Sequence, residues 1–272
     1  MSTATAITRH PWVEDPDVSA IVTEDDQPVD NFPSEKQARL LTEPLYSSWS
    51  GPPVLPDEGA GPGPRRPFLA AADVGLFAAV KDPPIVPDVF LSLDVALRDD
   101  WWEKKNRSYF FWEMGKPPEV VVEIVSNDEG DELGAKRRRY ARMGIGHYVV
   151  YDPQQILGGP ALRAFEMRGN LYVPMKRLFF ESVGLGLTLW SGIYEDRRDT
   201  WLRWSLADGS VVPTGAERAD AERERADAER ARGDAERERA DAERARADAE
   251  RERAERLVAR LRALGVDPDA TG

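Results

Sequence analysis

The sequence has no cysteine, only two histidines, and no apolar run approaching the ~18 residues of a membrane span. Without cysteine there are no disulfides, no thiolate zinc sites and no cysteine nucleophiles, and a reducing compartment fits. With His10 and His147 alone, a histidine metal cluster is excluded, and His147, just before an apolar strand, reads as a packing or rim residue. The first twenty residues, MSTATAITRHPWVEDPDVSA, are acid-rich and lack a continuous apolar segment, so no signal peptide, no membrane partner and a cytoplasmic location are expected. Neither GxxxxGK(S/T) nor a strand–GxGxxG–helix pattern occurs. Positive charge is also short: 37 Lys and Arg against 49 Asp and Glu leave a formal net charge of −12. That balance opposes non-selective nucleic-acid binding, although it allows a local basic groove beside an acidic site.

What is present divides into three parts. Residues 1–32 are polar, acidic and broken by proline, and read as a disordered or loosely docked arm. Residues 33–205 carry globular patterning. Ser34 with Gln37 has capping-box spacing, and Leu40, Leu41, Leu45 and Trp49 form a helical stripe that Pro44 should kink or stop. Short β-favouring runs follow at 68–72, 74–80 and 85–93, then an aromatic and basic insert at 98–116. A strand at 119–126, a helix at 132–143 and a strand at 146–151 come next, then a hairpin around Arg168-Gly169-Asn170 and a last short strand or two from 185 to 190.

Residues 215–266 differ in kind. The unit ERADAER and its variants ARGDAER and ARADAER start at 217, 224, 231, 238 and 245. Ala, Glu and Arg favour helix, and opposite charges fall at i,i+3 and i,i+4, so a long charge-laced helix is expected. Its heptads pair an alanine or glycine position with a glutamate position up to Glu250. Most of it should therefore be a single helix or a weak coiled coil, with only the last two heptads, around Leu257, Leu261 and Leu264, able to zip into a homodimer.

One stretch concentrates chemistry. The apolar run 120–125 carries Glu123 in its middle, and the next helical segment carries Lys136 on the face shared by Leu133, Tyr140 and Met143. Burying either charge alone costs several kcal/mol. Upstream, Asp88 alternates with Val86 and Phe90 and so points where apolar residues point. Two converging carboxylates favour a hard divalent cation, Mg²⁺ or Mn²⁺, with oxygen ligands and waters, and a nearby ammonium can orient water or offset charge developing on phosphorus. The bland alternative is a buried Lys–Glu pair holding helix to strand. Arg137, Arg138 and Arg142 offer a phosphate patch, or else an ordinary solvated helix face. The insert residues Trp101, Trp102, Tyr109, Phe110, Phe111 and Trp112, with Lys104, Lys105 and Arg107, could stack on bases and grip phosphate, or form core or interface.

The blocks Ile85-Val86-Pro87-Asp88-Val89, Pro118 to Ser126, Asp131 to Lys136, Tyr140 to Ile145 and Tyr148 to Pro153 resemble the Uma-two family of restriction-endonuclease-like proteins, in the PD-(D/E)xK nuclease superfamily. The resemblance implies an α/β fold with a central mixed sheet flanked by helices. It implies that Asp88 and Glu123 bind metal and that Lys136 is a catalytic lysine moved onto the helix, because the usual position two residues after the glutamate is Val125. Glu35, Asp73 and Tyr140 are additional candidates. The expected function is a Mg²⁺- or Mn²⁺-dependent hydrolase cutting DNA. The alternative is a catalytically degenerate nuclease-fold protein acting as an interaction module with a helical arm.

Overall fold

A computed structural model describes residues 31–53, 64–79, 82–103, 106–127 and 130–264. The expected arm at 1–32 lies, apart from its last two residues, outside them. The chain forms two compact units, Met1–Thr214 and Gly215–Gly272.

The first unit is built on a six-stranded mixed sheet in the order β1-β3-β5-β6-β7-β8. Its strands are β1 (Phe68–Ala72), β3 (Val89–Leu93), β5 (Val120–Ile124), β6 (His147–Tyr151), β7 (Leu162–Arg168) and β8 (Leu171–Pro174). Within this sheet β5 and β6 alone pair in parallel. That pairing needs a crossover, which a π-helical turn (Glu132–Lys136) and α3 (Arg137–Arg142) supply. All five residues of β3 and all five of β5 are buried, as expected for strands covered on both faces.

Strand parity sorts the core into two layers. Val120, Val122 and Ile124 pack with Ala38 and Leu41 of α1 (Phe32–Pro44), with Leu45 just after it, and with a second sheet. That sheet comprises β9 (Phe179–Phe180), β10 (Leu185–Tyr194) and β11 (Arg197–Ser205). Val121, Val125 and Phe90 pack on the other face with Tyr140, Tyr148 and Tyr109. Between β1 and β3 lies the short β2 (Leu76–Phe77), paired in parallel with β4 (Tyr109–Phe110), which runs into the single-turn α2 (Phe111–Met114).

Several local expectations are corrected. The cap of α1 is Asn31, whose side chain accepts from the Ser34 amide at 2.9 Å, so the helix starts two residues before Ser34. The α-helix ends at Pro44, as expected, but the chain continues through a π-helical turn, Leu45–Trp49, that closes on Ser50 in the left-handed region. The run 85–93 is strand only from Val89, because Pro87 breaks it, and Val86 is exposed. The last strands are far longer than expected, and buried positions continue to Val212 and Thr214.

The second unit contains α4 (Gly215–Ala263), 49 residues with none buried. At 1.5 Å per residue it extends about 73 Å. The expected i,i+3 pairs are present, as Arg223 with Asp220 at 2.6 Å and Arg230 with Asp227 at 3.1 Å. No helix among the described residues is long and apolar enough to cross a membrane.

A buried side-chain amide helps tie the first helix to the last strand. Gln37, 2% exposed, donates to the Leu202 carbonyl at 2.8 Å and accepts from its amide at 3.0 Å. Gln37→Ala leaves both backbone groups buried without partners, so urea unfolding should show a stability loss of about 1–3 kcal/mol. An unchanged midpoint and slope would contradict this role.

Candidate active site

The site is laid out by the register of three neighbouring strands. β3 and β5 are antiparallel with Val89 opposite Val122, and one further step sets Asp88 opposite Glu123. β1 pairs with β3 through Ala72 and Val89, so the next step sets Asp73 opposite Asp88. The Asp73 amide donates to the Asp88 carbonyl at 3.3 Å, carrying the ladder one residue beyond the strands. Residues directly opposite in antiparallel strands have Cβ atoms about 4.5–5.5 Å apart, so the sheet itself brings two carboxylates together.

Glu123 is 1% exposed and both its oxygens are engaged. Oε2 receives the Lys136 ammonium at 2.9 Å, and Oε1 accepts a short hydrogen bond from the Tyr140 hydroxyl. Asp88 is half-buried, and its Oδ2 accepts from the Ile124 amide. Lys136 arrives from the π-helical turn, which opens at Asp131 in the left-handed region. The Asp131 carboxylate caps that turn by accepting from the Ala135 amide at 2.7 Å. A side chain at Gly134 would displace the same carboxylate, so glycine there leaves room for the cap. Leu133, Tyr140 and Met143 all pack toward the sheet, as the helical stripe requires.

Electrostatics follow from burial. Desolvation pushes the Asp88 carboxyl well above the ordinary carboxylate range, and the Glu123 charge adds to it, while the Ile124 amide and Lys136 oppose it. Glu123 is also raised by burial, against the lowering effects of Lys136 and Tyr140. Burial alone would lower Lys136, but the Glu123, Glu132 and Asp88 carboxylates raise it, so it stays an ammonium. Burial and the Glu123 charge keep the Tyr140 hydroxyl protonated as a donor.

The structure brings Asp73, Asp88, Glu123, Lys136 and Tyr140 together. Asp73 is exposed and contributes to the raised Asp88 carboxyl. Glu35 does not join them. It is exposed on α1, paired with Arg39 at 2.6 Å, and α1 packs on the opposite face of the sheet. Arg138 and Arg142 are exposed on α3, whereas the Arg137 guanidinium lies 5.2 Å over the Phe165 ring. Val125 is buried on the same face as Glu123, so the ammonium of Lys136 serves the face on which a lysine at 125 would project.

Glu132 was not among the expected site residues. It is 5% exposed, its Oε1 lies 3.3 Å from the Lys136 ammonium, and its Oε2 is buried without a hydrogen-bond partner. The Tyr148 hydroxyl fixes its backbone through the Glu132 carbonyl at 2.9 Å. The only sequence signal was its i,i+4 spacing to Lys136.

An all-oxygen donor set with more carboxylate than ammonium suits a hard divalent cation. Among the described residues, no group of three Asp, Glu, His or Cys side chains is placed to hold an ion by itself. Two carboxylates plus waters is the usual protein share of a magnesium shell, so the residues present fit.

The model of the Uma2 family, described as "putative restriction endonuclease", matches residues 61–174. This segment carries the Uma2 likeness expected from the sequence. It spans all six strands of the central sheet and every residue of the acidic site, and the mixed sheet with flanking helices is consistent with a restriction-endonuclease-like fold. No curated protein matches the chain.

Removing the desolvated charge should stabilise the protein. The folded-state Asp88 pKa lies above its unfolded value, so the native state binds the proton more tightly, and stability falls as pH rises from about 4 through the folded pKa. In chelator-containing buffer Asp88→Asn, which can still accept from Ile124, should melt higher than the parent at pH 7–8. The gap should shrink as pH falls toward 4, and a gap that widens instead would contradict the assignment.

Proposed function

We propose that the protein is a Mg²⁺- or Mn²⁺-dependent endonuclease that hydrolyses phosphodiester bonds in DNA. The observation that carries this reading is the cross-strand facing of Asp88 and Glu123 with the Lys136 ammonium 2.9 Å from Glu123. Asp88 and Glu123 would hold the cation, which when bound lowers the pKa of its water and polarises a phosphoryl oxygen. The Tyr140 hydroxyl fixes the rotamer of Glu123, and Tyr148 and the Asp131 cap fix the turn that delivers Lys136. Lys136, held protonated, orients the attacking water and offsets negative charge as it develops on the phosphorane-like transition state.

DNA as substrate is supported by cations on the helix that follows Lys136. In a chain of net charge −12, Arg138 and Arg142 stand exposed on α3 and form no ion pair with any described residue, and Arg139 reaches only the Pro83 carbonyl. Arg137 belongs to the same patch in sequence, though its guanidinium lies over Phe165.

A second reading is favoured by one observation: both Glu123 oxygens are already satisfied, by Lys136 and by Tyr140. A closed pair of this kind also fits a degenerate nuclease core that serves as an interaction module, with α4 as its arm. Cleavage separates the two readings. Supercoiled plasmid and single-stranded DNA should be cut with Mg²⁺ or Mn²⁺, and Glu123→Gln should lower the rate at least 100-fold, the loss of about 2.7 kcal/mol of transition-state stabilisation. Equal cutting by the variant, or no cutting by the parent protein, would defeat the nuclease reading, and the second result would favour the interaction module.

A further inference from the structure

Two residues along β3 from Asp88, about 7 Å at strand rise, Phe90 forms part of the wall of a second concavity. This cavity of about 440 Å³ lies against edge strand β1 and is lined by Leu69, Val74, Phe90 and Tyr109 and by Trp101, Trp102 and Arg107 of the insert. Its size is that of a small-molecule or nucleobase site. Its floor is fixed: Phe90 and Tyr109 meet edge to face at 5.1 Å, and the Tyr109 hydroxyl is tied to Ser92 at 2.8 Å and to the Lys116 carbonyl at 3.2 Å. Its rim is different. Trp101 and Trp102 are 51% and 73% exposed, with ring centroids 5.4 Å apart and planes tilted by 59°, so neither ring covers the other's face.

Large exposed aromatic rings at the mouth of an apolar cavity mark a surface that gains by being covered. The adjoining charge says by what. Arg107 lines the same cavity, and its Nε donates to the Trp102 backbone carbonyl at 2.6 Å, which ties the guanidinium to the segment that carries the indoles. It forms no ion pair with a described residue. Asn106, 8% exposed, donates to the Asp100 carbonyl at 3.0 Å and so anchors this part of the insert. Aromatic faces above an apolar floor, with one available guanidinium at the edge, match a flat heteroaromatic ring that carries an anionic group.

We infer that this cavity is a subsite for an unpaired nucleotide, the base stacked on Trp101 and Trp102 and the phosphate on Arg107, and that the strand bearing it continues toward Asp88 and Glu123. The inference rests on the nuclease reading and narrows its substrate to DNA with a single-stranded or unstacked segment. A base inside a duplex cannot reach such a cavity without leaving the stack, which costs a few kcal/mol.

Anisotropy titrations of a labelled oligothymidylate and of a duplex of equal length, in chelator-containing buffer, test it on the full chain. Trp102 is exposed, so its truncation spares the core. Trp102→Ala should weaken single-strand binding by about 5- to 100-fold, the range of one lost stacking contact. Trp102→Phe should restore most of that loss, Arg107→Ala should weaken the same complex, and duplex affinity should move less than about twofold. Unchanged single-strand affinity in both alanine variants overturns the inference. Binding of thymidine monophosphate that depends on Trp102, without binding of the oligonucleotide, reassigns the cavity to free nucleotides and overturns the strand assignment. Duplex-only binding by the parent protein overturns the subsite but leaves the nuclease reading standing, whereas no binding to either DNA defeats both.

Discussion

A carboxylate in the middle of the central sheet is the constraint to which its neighbours answer. Glu123 has almost no access to water, and an isolated charge there would cost several kcal/mol. Lys136 and Tyr140 must therefore both come from the following crossover and reach the same face. That requirement explains the unusual start of the crossover. Asp131 in the left-handed region, its carboxylate on the Ala135 amide and a glycine at 134 tighten a π-helical turn that aims Lys136 at the strand. π-helical turns recur at functional sites, where they re-aim a side chain at the expense of regular helix geometry.

The arrangement is not what stability alone would select. Asp88 sits opposite Glu123 although each carboxylate disfavours ionisation of the other, and Glu132 buries an oxygen with no partner. One ammonium serves three acids. Replacing such a group with apolar residues of similar volume is commonly neutral or stabilising, so its presence argues for chemistry rather than for packing. The remainder of the unit supplies rigidity. The two-layer core covers β5 on both faces, and Gln37 and the Trp204 indole, which donates to the Leu41 carbonyl at 2.7 Å, fasten α1 to the second sheet.

The core of this design was legible in the sequence because it obeys simple periods. Strand alternation put Glu123 on one face of β5, and helical spacing put Lys136 between Leu133 and Tyr140. Alternation alone does not orient Asp88, since Val86 is exposed and the strand begins after Pro87; the register with β5, which is tertiary, is what aligns Asp88. Glu132 was missed for the same reason: its burial depends on Tyr148 arriving from β6, and no local pattern reports that. The long hairpin of β10 and β11 was also hidden. It turns through Glu195 and Asp196, both at positive φ, where sequence reading looks for Asn-Gly or Asp-Gly. Glu35 failed because a helix stripe says which side is apolar but not which face of the sheet the helix will cover.

The central claim is that Asp88 and Glu123 are poised for a divalent cation, and direct metal binding measures it without reliance on turnover. Titrating the protein with Mn²⁺ and following free ion by electron paramagnetic resonance should give one saturable site per chain. That site should be lost or weakened at least tenfold in Asp88→Asn and in Glu123→Gln. The absence of saturable binding up to millimolar Mn²⁺, or a site that neither substitution alters, would contradict the account.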